Sequence, residues 1–519
     1  MTNIQQSSVI DGYKLGHIDQ YIKGTTQVYA NMTPRSDKLA RCLKHHSDGR
    51  MVFFGAQKAL IELKHLWDTT FFSKPKEEVI KQYSRRIKTY LGTDYGDNQI
   101  EALGKLHDLG YLPLRIKTLP EGTFVDMGVA TITITNTHPD FYWLTNYCET
   151  YLSCSVWHMC NAASLSREYY KTSRRWSEFT GADPFYAEIA NHCFAARGHR
   201  GMQDAMDSGM AHLLFSVGTD TLWAIEGHET YYHADSEKEL IGCSVSAFEH
   251  ATATQRIAYY REELGFDEYP LQAETESLRD IVTNLYPKGI VSYVSDSEDY
   301  YGVLSQVLPA IKNEILSRQP DSAGLVKFVV RPDSSPKTPL EVIVGDDDAP
   351  EGTPERLGTL QLLWDTFGGS INDKGFKVLN PKVGMIYGEA IDVELHDKIQ
   401  YEMVKRGWCV SNCLYGVGSW GFLDRSSRDS FSQALKGTHS VVNGKDVSMQ
   451  KNPKTAVGSK KSAKGLLRVE RVDGKLVQYD QQTREQEQQG LLEVVFEDGV
   501  LVKQTSLAEI RKLISEQLA

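Results

Sequence analysis

The chain has 519 residues, too many for one small core, so two domains or one large barrel with additions is the starting expectation. At 41% hydrophobic and 24% charged its composition is that of an ordinary globular protein, and no apolar run approaches the ~20 residues that span a bilayer. A net charge of −11 sets its general electrostatics against nucleic acid.

The first residues, MTNIQQSSVIDGYK, carry neither the basic nor the apolar region of a secretion signal, so a cytoplasmic protein is expected. Up to about residue 170, helix-like stretches such as FFGAQKALIELKHLW (53–67) mix with alternating ones such as TFVDMGVATITIT (123–135), which read as strands. From about 185 to 420 apolar, β-branched runs end in Gly or Ser plus an acid. They are HLLFSVGTD (212–220), LIGCSVSAFEH (240–250), GIVSYVSDSED (289–299), LVKFVVRPD (325–333), KVGMIYGEAID (382–392) and WCVSNCLYGVGS (408–419). Helical stretches lie between them at 276–286, 300–318, 355–367 and 392–408. The alternation predicts parallel strands with crossover helices, and six units in ~235 residues suit an α/β barrel better than a short open sheet.

Beyond 420, LLRVERVDGKLVQY and LLEVVFEDGVLVKQT predict hairpins around Asp-Gly turns, and SLAEIRKLISEQL predicts a closing helix with Ser506 as N-cap. The expected fold class is therefore α/β. A parallel barrel-like catalytic domain over 181–419 accompanies a mixed α+β domain built from 1–180 and 420–519.

Eight cysteines (Cys42, Cys148, Cys154, Cys160, Cys193, Cys243, Cys409, Cys413) are scattered without a Cys-x-x-Cys pair, which argues against zinc and disulfides. One segment opposes the acidic balance: Lys436, Lys445, Lys451, Lys454, Lys460, Lys461, Lys464 and Arg468 are interleaved with Gly, Ser and Pro. It reads either as a solvated loop or as a local anion site.

In a parallel barrel the polar residues just past the strands share one face, where active sites sit. That face would collect Asp220, Glu249, His250, Asp296, Asp299, Arg331, Asp333, Glu389 and the Gly416–Gly418 loop. Each acid alone is an ordinary cap or turn residue, but caps need neither Arg331 nor His250. Carboxylates with glycine-rich loops suit sugar hydroxyls, a divalent cation and a phosphate. No GxxxxGK[ST] loop is present, and no convincing GxGxxG follows a strand. EVIVGDDDAPEGT (341–353) imitates a phosphate-loop strand, but its glycine spacing and flanking prolines mark an exposed insertion.

Taken in order, DGYKLGHIDQY, VYANMTPRSDK, HCFAARG, VGTDT, SAFEHAT, VSYVSDSED, VVRPDS, IYGEAID, the glycine-rich loop, Arg428-Asp429 and AEIRK resemble the nicotinamide phosphoribosyltransferase family of type II phosphoribosyltransferases, nearly end to end. The resemblance implies a reaction of nicotinamide with 5-phosphoribosyl 1-pyrophosphate and Mg²⁺, giving nicotinamide mononucleotide and pyrophosphate in NAD salvage. Phe194 would stack on the pyridine ring, with Tyr13 of a partner subunit on its other face. Asp220 would accept the carboxamide NH₂, helped by Ser292, with Arg331 lining the pocket. Asp333 and Glu389, beside Gly388, would face the ribose and the metal, for which Asp333 is the named ligand. Gly418 and Ser419 would cradle the 5-phosphate. Arg428 and Lys436 would clamp phosphates, joined by Arg35, Arg197, Lys451 and Lys460. His250 would take a phosphoryl group from ATP, oriented by Asp296, with Glu249 adding negative potential. A homodimer with shared sites follows from the same resemblance.

Two departures stand out. A Gly-Asp-Gly of the family reads Gly388-Glu389-Ala390, and a phosphate-loop glycine reads Ser419. The alternatives are nicotinate phosphoribosyltransferase, from which Asp220 separates it, and a catalytically silent nucleotide-binding relative.

Overall fold

Four of the apolar runs form the strands their β-branched composition dictates: Gly289–Val294, Val326–Arg331, Val383–Tyr387 and Cys413–Val417. They belong to a parallel seven-stranded sheet completed by Asn191–Cys193, Gly218–Thr219 and Ser246–Ala247. Neighbours in this sheet are neighbours in chain order, with Asn191–Cys193 joined to both Gly218–Thr219 and Cys413–Val417. A parallel bridge from Gly218 to Cys243 connects one edge to the segment that enters Ser246–Ala247, so the sheet curls back on itself. This is the expected α/β, barrel-like class. The computed structural model describes residues 4–40, 48–265, 270–334, 338–424, 426–453 and 461–519.

The sheet lies in a compact unit formed by Leu165–Leu222 and Leu240–Asp424. In register, Phe328 sits opposite Val291 and Val330 opposite Tyr293, and all four are buried. Alternation puts Ser292, Val329 and Gly384 together on the other face. Crossover helices include His250–Leu264, Pro354–Phe367 and Val393–Lys405.

Two of the runs give only two-residue strands. In HLLFSVGTD the helix Met202–His212 is prolonged by turns, with Leu213 N–H donating to Gly209 and Phe215 N–H to His212. The apolar residues there report burial rather than extension. The stretch 300–318 is not one regular α-helix: Tyr300–Ala310 is helical with a π turn at Val303–Val307, and Ile311, at φ −116° and ψ 19°, separates it from Lys312–Ser317. The 341–353 stretch is not an exposed insertion throughout. Val342, Ile343, Val344 and Asp346 are buried, and Thr338 and Glu341 form a capping box that starts the helix Pro339–Val344.

The other unit comprises Met1–Ser164, Trp223–Glu239 and Arg425–Ala519. Its antiparallel sheet interleaves early and late sequence: Thr25–Thr33 pairs with Ala434–Val442, and Leu114–Thr118 with Glu493–Glu497. The Asp-Gly turns form as predicted. Leu466–Val472 pairs with Lys475–Gln482, and both Asp473 and Gly474 have positive φ (49° and 79°), as a type I′ turn requires. Ser506 caps the closing helix Leu507–Leu518 reciprocally with Glu509. The seven described cysteines are free, and Cys42 lies outside the described residues. Among the described residues no helix is long and apolar enough to cross a membrane.

Candidate active site

The ends of the parallel strands gather most of the predicted acids in one unit. Phe194 directly follows the strand Asn191–Cys193, and its N–H donates to Val417. Its ring lies over Gly416, where an added Cβ would come within 2.7 Å of Cε2, and close to Gly388. Glycine at these two positions leaves a flat floor. The Arg331 guanidinium sits 6.0 Å from the Phe194 centroid and donates from Nη2 to the Phe248 carbonyl at 2.9 Å. Its Nε is buried without a hydrogen-bond partner among the described residues. Ser292, 5% exposed, is on the adjacent strand.

Asp220 follows Gly218–Thr219 and is anchored by its N–H to the Cys193 carbonyl. Its Oδ1 accepts hydrogen bonds from His192 Nε2 at 2.8 Å and Ser244 Oγ at 3.0 Å. Burial pushes the Asp220 carboxyl up, but His192, Ser244 and the Arg331 charge outweigh it, and the net pKa is below the ordinary aspartate value. The His192 ring is 4.6 Å from that of Phe194. Neither His192 nor Ser244 stood out in the sequence. For His192 a signal existed, because strand alternation places it on the same face as Phe194, two residues on.

His250 opens the helix His250–Leu264, with Glu249 at its N-cap. His250 Nε2 lies 3.0 Å from Asp296 Oδ1, and Nδ1 lies 3.9 Å from Asp333 Oδ2. Asp296 Oδ2 accepts from the Asp333 N–H at 3.0 Å and the Ser334 hydroxyl at 2.6 Å. The imidazole is 45% exposed while Asp296 is 5% exposed, so a buried carboxylate presents the ring to solvent. The Glu249 side chain is exposed. Asp299 is a cap: its carboxylate accepts the Gly302 N–H.

Glu389 is exposed and accepts from the Tyr387 hydroxyl at 3.0 Å. Ala390 next to it has φ 51°, a left-handed conformation that a glycine would occupy freely. Gly418 and Ser419 begin the short helix Ser419–Leu423. Ser419 packs where Gly198 has no side chain, since a Cβ there would come within 2.5 Å of the Ser419 Cβ. Arg197, one residue earlier, is exposed.

The remaining predicted residues lie in the other unit. Arg35 and Lys436 line a cavity of about 270 Å³ together with Asn31, Thr33, Lys461 and Ser462. Burial lowers the Lys436 pKa, Glu149 opposes that, and the Arg35, Lys451 and Arg428 cations lower it further. The pocket thus concentrates positive charge without a matching carboxylate in its lining. Lys461 was one of the lysine run without being singled out. Lys451 is exposed, and its N–H donates to Ser462 Oγ. Arg428 pairs with Asp429 at 3.2 Å, and Tyr13 is 67% exposed. Lys460 lies outside the described residues. A larger cleft in the same unit, about 750 Å³ and lined by Glu62, His65 and Glu78, involves none of the predicted residues.

Residues 189–500 match the family model described as the nicotinate phosphoribosyltransferase (NAPRTase) family. A nicotinamide phosphoribosyltransferase of Acinetobacter baylyi is 41% identical over 516 residues, covering 99% of this chain and 98% of that relative. Another nicotinamide phosphoribosyltransferase, from Xanthomonas campestris pv. campestris, is 28% identical over 96% of both chains. Among solved structures, nicotinate-nucleotide pyrophosphorylase from Pyrococcus furiosus superposes with TM-score 0.53 over 99% of this chain and 95% of its own, at 13% identity. Human nicotinic acid phosphoribosyltransferase does so with TM-score 0.51 over 98% and 93%, at 12% identity. At such identities these two speak for the fold alone. With the family model covering more than half its length and a 41% identical relative spanning nearly all of it, the chain belongs to the nicotinate phosphoribosyltransferase family and is a pentosyltransferase.

Proposed function

We propose that this chain is a nicotinamide phosphoribosyltransferase, forming nicotinamide mononucleotide and pyrophosphate from nicotinamide and 5-phosphoribosyl 1-pyrophosphate. The observation that carries the reading is Asp220, a carboxylate near the Phe194 ring with one oxygen tied to His192 and Ser244. A carboxylate beside the ring's substituent accepts a hydrogen bond from a carboxamide and repels the carboxylate of nicotinate. The family's name points to nicotinate, whereas the similar full-length relatives are named for nicotinamide. Asp220 favours the latter.

The pyridine nitrogen brings its own lone pair and needs no general base. As the new C–N bond forms at the anomeric carbon, the C–O bond to pyrophosphate breaks and pyrophosphate leaves with the electron pair. Catalysis then rests on holding the reactants in line and stabilising the leaving group. Phe194 and Arg331 hold the ring. Gly418, Ser419 and Arg197 serve the 5-phosphate, and Arg35, Arg428, Lys436, Lys451 and Lys460 the phosphates, with the cationic cavity around Arg35 and Lys436 as support. The exposed carboxylates of Asp333 and Glu389 offer the hard oxygen donors that Mg²⁺ takes, and their chemistry fits it. When bound, Mg²⁺ neutralises pyrophosphate charge.

ATP enters this reading through His250. With Nε2–H donating to Asp296, Nδ1 carries the lone pair; it attacks the γ-phosphorus, and ADP leaves with the electrons of the broken bond. A homodimer completes the site with Tyr13 of the partner, and the cytoplasm is the proposed compartment.

The test offers purified protein 5-phosphoribosyl 1-pyrophosphate and Mg²⁺ with equimolar nicotinamide and nicotinate, with and without ATP. Mass spectrometry then identifies the mononucleotide. Nicotinamide mononucleotide alone is expected. Nicotinate mononucleotide would overturn the assignment of Asp220, and neither product would leave a silent relative.

A further inference from the structure

Asp220 has an asymmetry that its own identity does not explain. Both protein donors, His192 Nε2 and Ser244 Oγ, go to Oδ1, and among the described residues none goes to Oδ2. The side chain is 47% exposed, so these two hydrogen bonds are the contacts that orient the carboxylate. His192, by contrast, is 13% exposed and held from two sides. It pairs in register with Gly218, where an added Cβ would sit 2.8 Å from Nδ1 and 3.3 Å from the His192 Cα. Its ring also lies 4.6 Å from Phe194 at 40°. The imidazole is therefore a rigid part touching both Phe194 and Asp220.

Resting on the nicotinamide reading above, we propose that His192 is the positioning residue that sets the preference for a carboxamide over a carboxylate. Its Nε2–H, with Ser244 Oγ–H, occupies Oδ1 of Asp220 and leaves Oδ2 as the one acceptor turned to the ligand. An acceptor with both protein donors on its far oxygen can take an N–H from the substrate's amide. It cannot take a carboxylate oxygen, which has no proton to give. Arg331, whose positive charge helps keep Asp220 ionised, maintains the acceptor state. His192 acts through Asp220 rather than on the reacting atoms.

The test compares His192→Leu, which removes the donor, with His192→Gln, whose amide N–H reaches to a similar distance. Each is made alone and in an Asp220→Asn background. Steady-state constants are measured for nicotinamide, nicotinate and 5-phosphoribosyl 1-pyrophosphate, and nicotinamide binding is followed by calorimetry. Loss of a hydrogen bond to a charged group should raise the KM for nicotinamide about tenfold in His192→Leu. The KM for the phosphoribosyl donor should stay put, and the nicotinamide-to-nicotinate ratio should fall. His192→Gln should recover most of the loss, and His192→Leu should add nothing once Asp220 is Asn. Ser244→Ala, which leaves the ring contacts intact, should shift nicotinamide KM in the same direction even if His192→Leu does not fold.

An unchanged substrate ratio in Ser244→Ala and His192→Leu, or a full additional loss in the Asp220→Asn background, overturns the proposal. Wild-type protein that forms no nicotinamide mononucleotide overturns the functional reading instead, so the two failures are told apart by the control.

Discussion

His250 and Asp296 are joined by a 3.0 Å hydrogen bond in which the buried partner is the carboxylate and the half-exposed one the imidazole. The same carboxylate holds the following loop through the Asp333 N–H and the Ser334 hydroxyl. Asp296 thus fixes a ring tautomer and the position of a neighbouring acid together. A surface histidine would have no use for so constrained a partner.

If His250 is the phosphoryl acceptor, protein incubated with Mg²⁺-ATP should gain the mass of one phosphoryl group, and His250→Ala should gain none. Asp296→Asn should slow the labelling about 100-fold, the usual scale for losing an oriented base partner. Equal labelling of wild type and His250→Ala by intact-protein mass spectrometry would remove His250 from this role.

The ring platform depends on what Gly416 lacks. In Gly416→Ala the new methyl would meet the Phe194 ring edge and lie 3.0 Å from the Gly388 Cα, so either the ring or the strand must shift. The KM for nicotinamide should rise about tenfold if the ring is displaced by the equivalent of 1.4 kcal/mol. The KM for 5-phosphoribosyl 1-pyrophosphate should change far less. Equal loss for both substrates would mean a general distortion of the unit rather than a displaced platform.

Ala390 departs from the glycine of the family pattern and still adopts φ 51°. The backbone there has kept the glycine geometry while the residue changed. Left-handed alanine costs about 1–2 kcal/mol, and glycine returns part of that as unfolded-chain entropy. Ala390→Gly should therefore stabilise the protein by about 1 kcal/mol, read as a higher urea midpoint at unchanged slope. A lower midpoint would show that the alanine methyl is worth more than the strain.

How far the sequence speaks depends on how long each element is. Runs such as Gly289–Val294 and Val326–Arg331 declare themselves because four of the six residues in each are β-branched or aromatic and have no good alternative to a buried strand. Asn191–Cys193, which carries His192 and leads to Phe194, is too short and too polar to declare itself a strand, so the alternation that puts His192 on the face of Phe194 has no visible frame. Only the resemblance drew attention to it. Acids at strand ends were legible as a set, since topology sends them all to one face. Their partners were not, because the contact of Ser244 with Asp220 is made across 24 residues by the curl of the sheet. Of its run, Lys461 joins Lys436 in lining a cavity, which spacing cannot reveal.

One buried acid carries a pH dependence of stability. Glu274 is fully buried and accepts from the Tyr293 hydroxyl at 2.9 Å. Burial, opposed by that hydrogen bond and reinforced by the charges of Glu298, Asp299 and Asp296, pushes its pKa from 4.5 up to about 7. Because the folded value is the higher one, its contribution to stability is fully present below about pH 4.5 and is lost as pH rises towards 7. The loss over that window is about 3 kcal/mol. Glu274→Gln keeps an acceptor for Tyr293 but has no proton to lose. Its stability relative to wild type should therefore increase between pH 5 and pH 8, by at most about 3 kcal/mol in urea titrations. A gap that is the same at both pH values would show that Glu274 is already ionised in the folded protein, and that its burial is compensated by more than Tyr293.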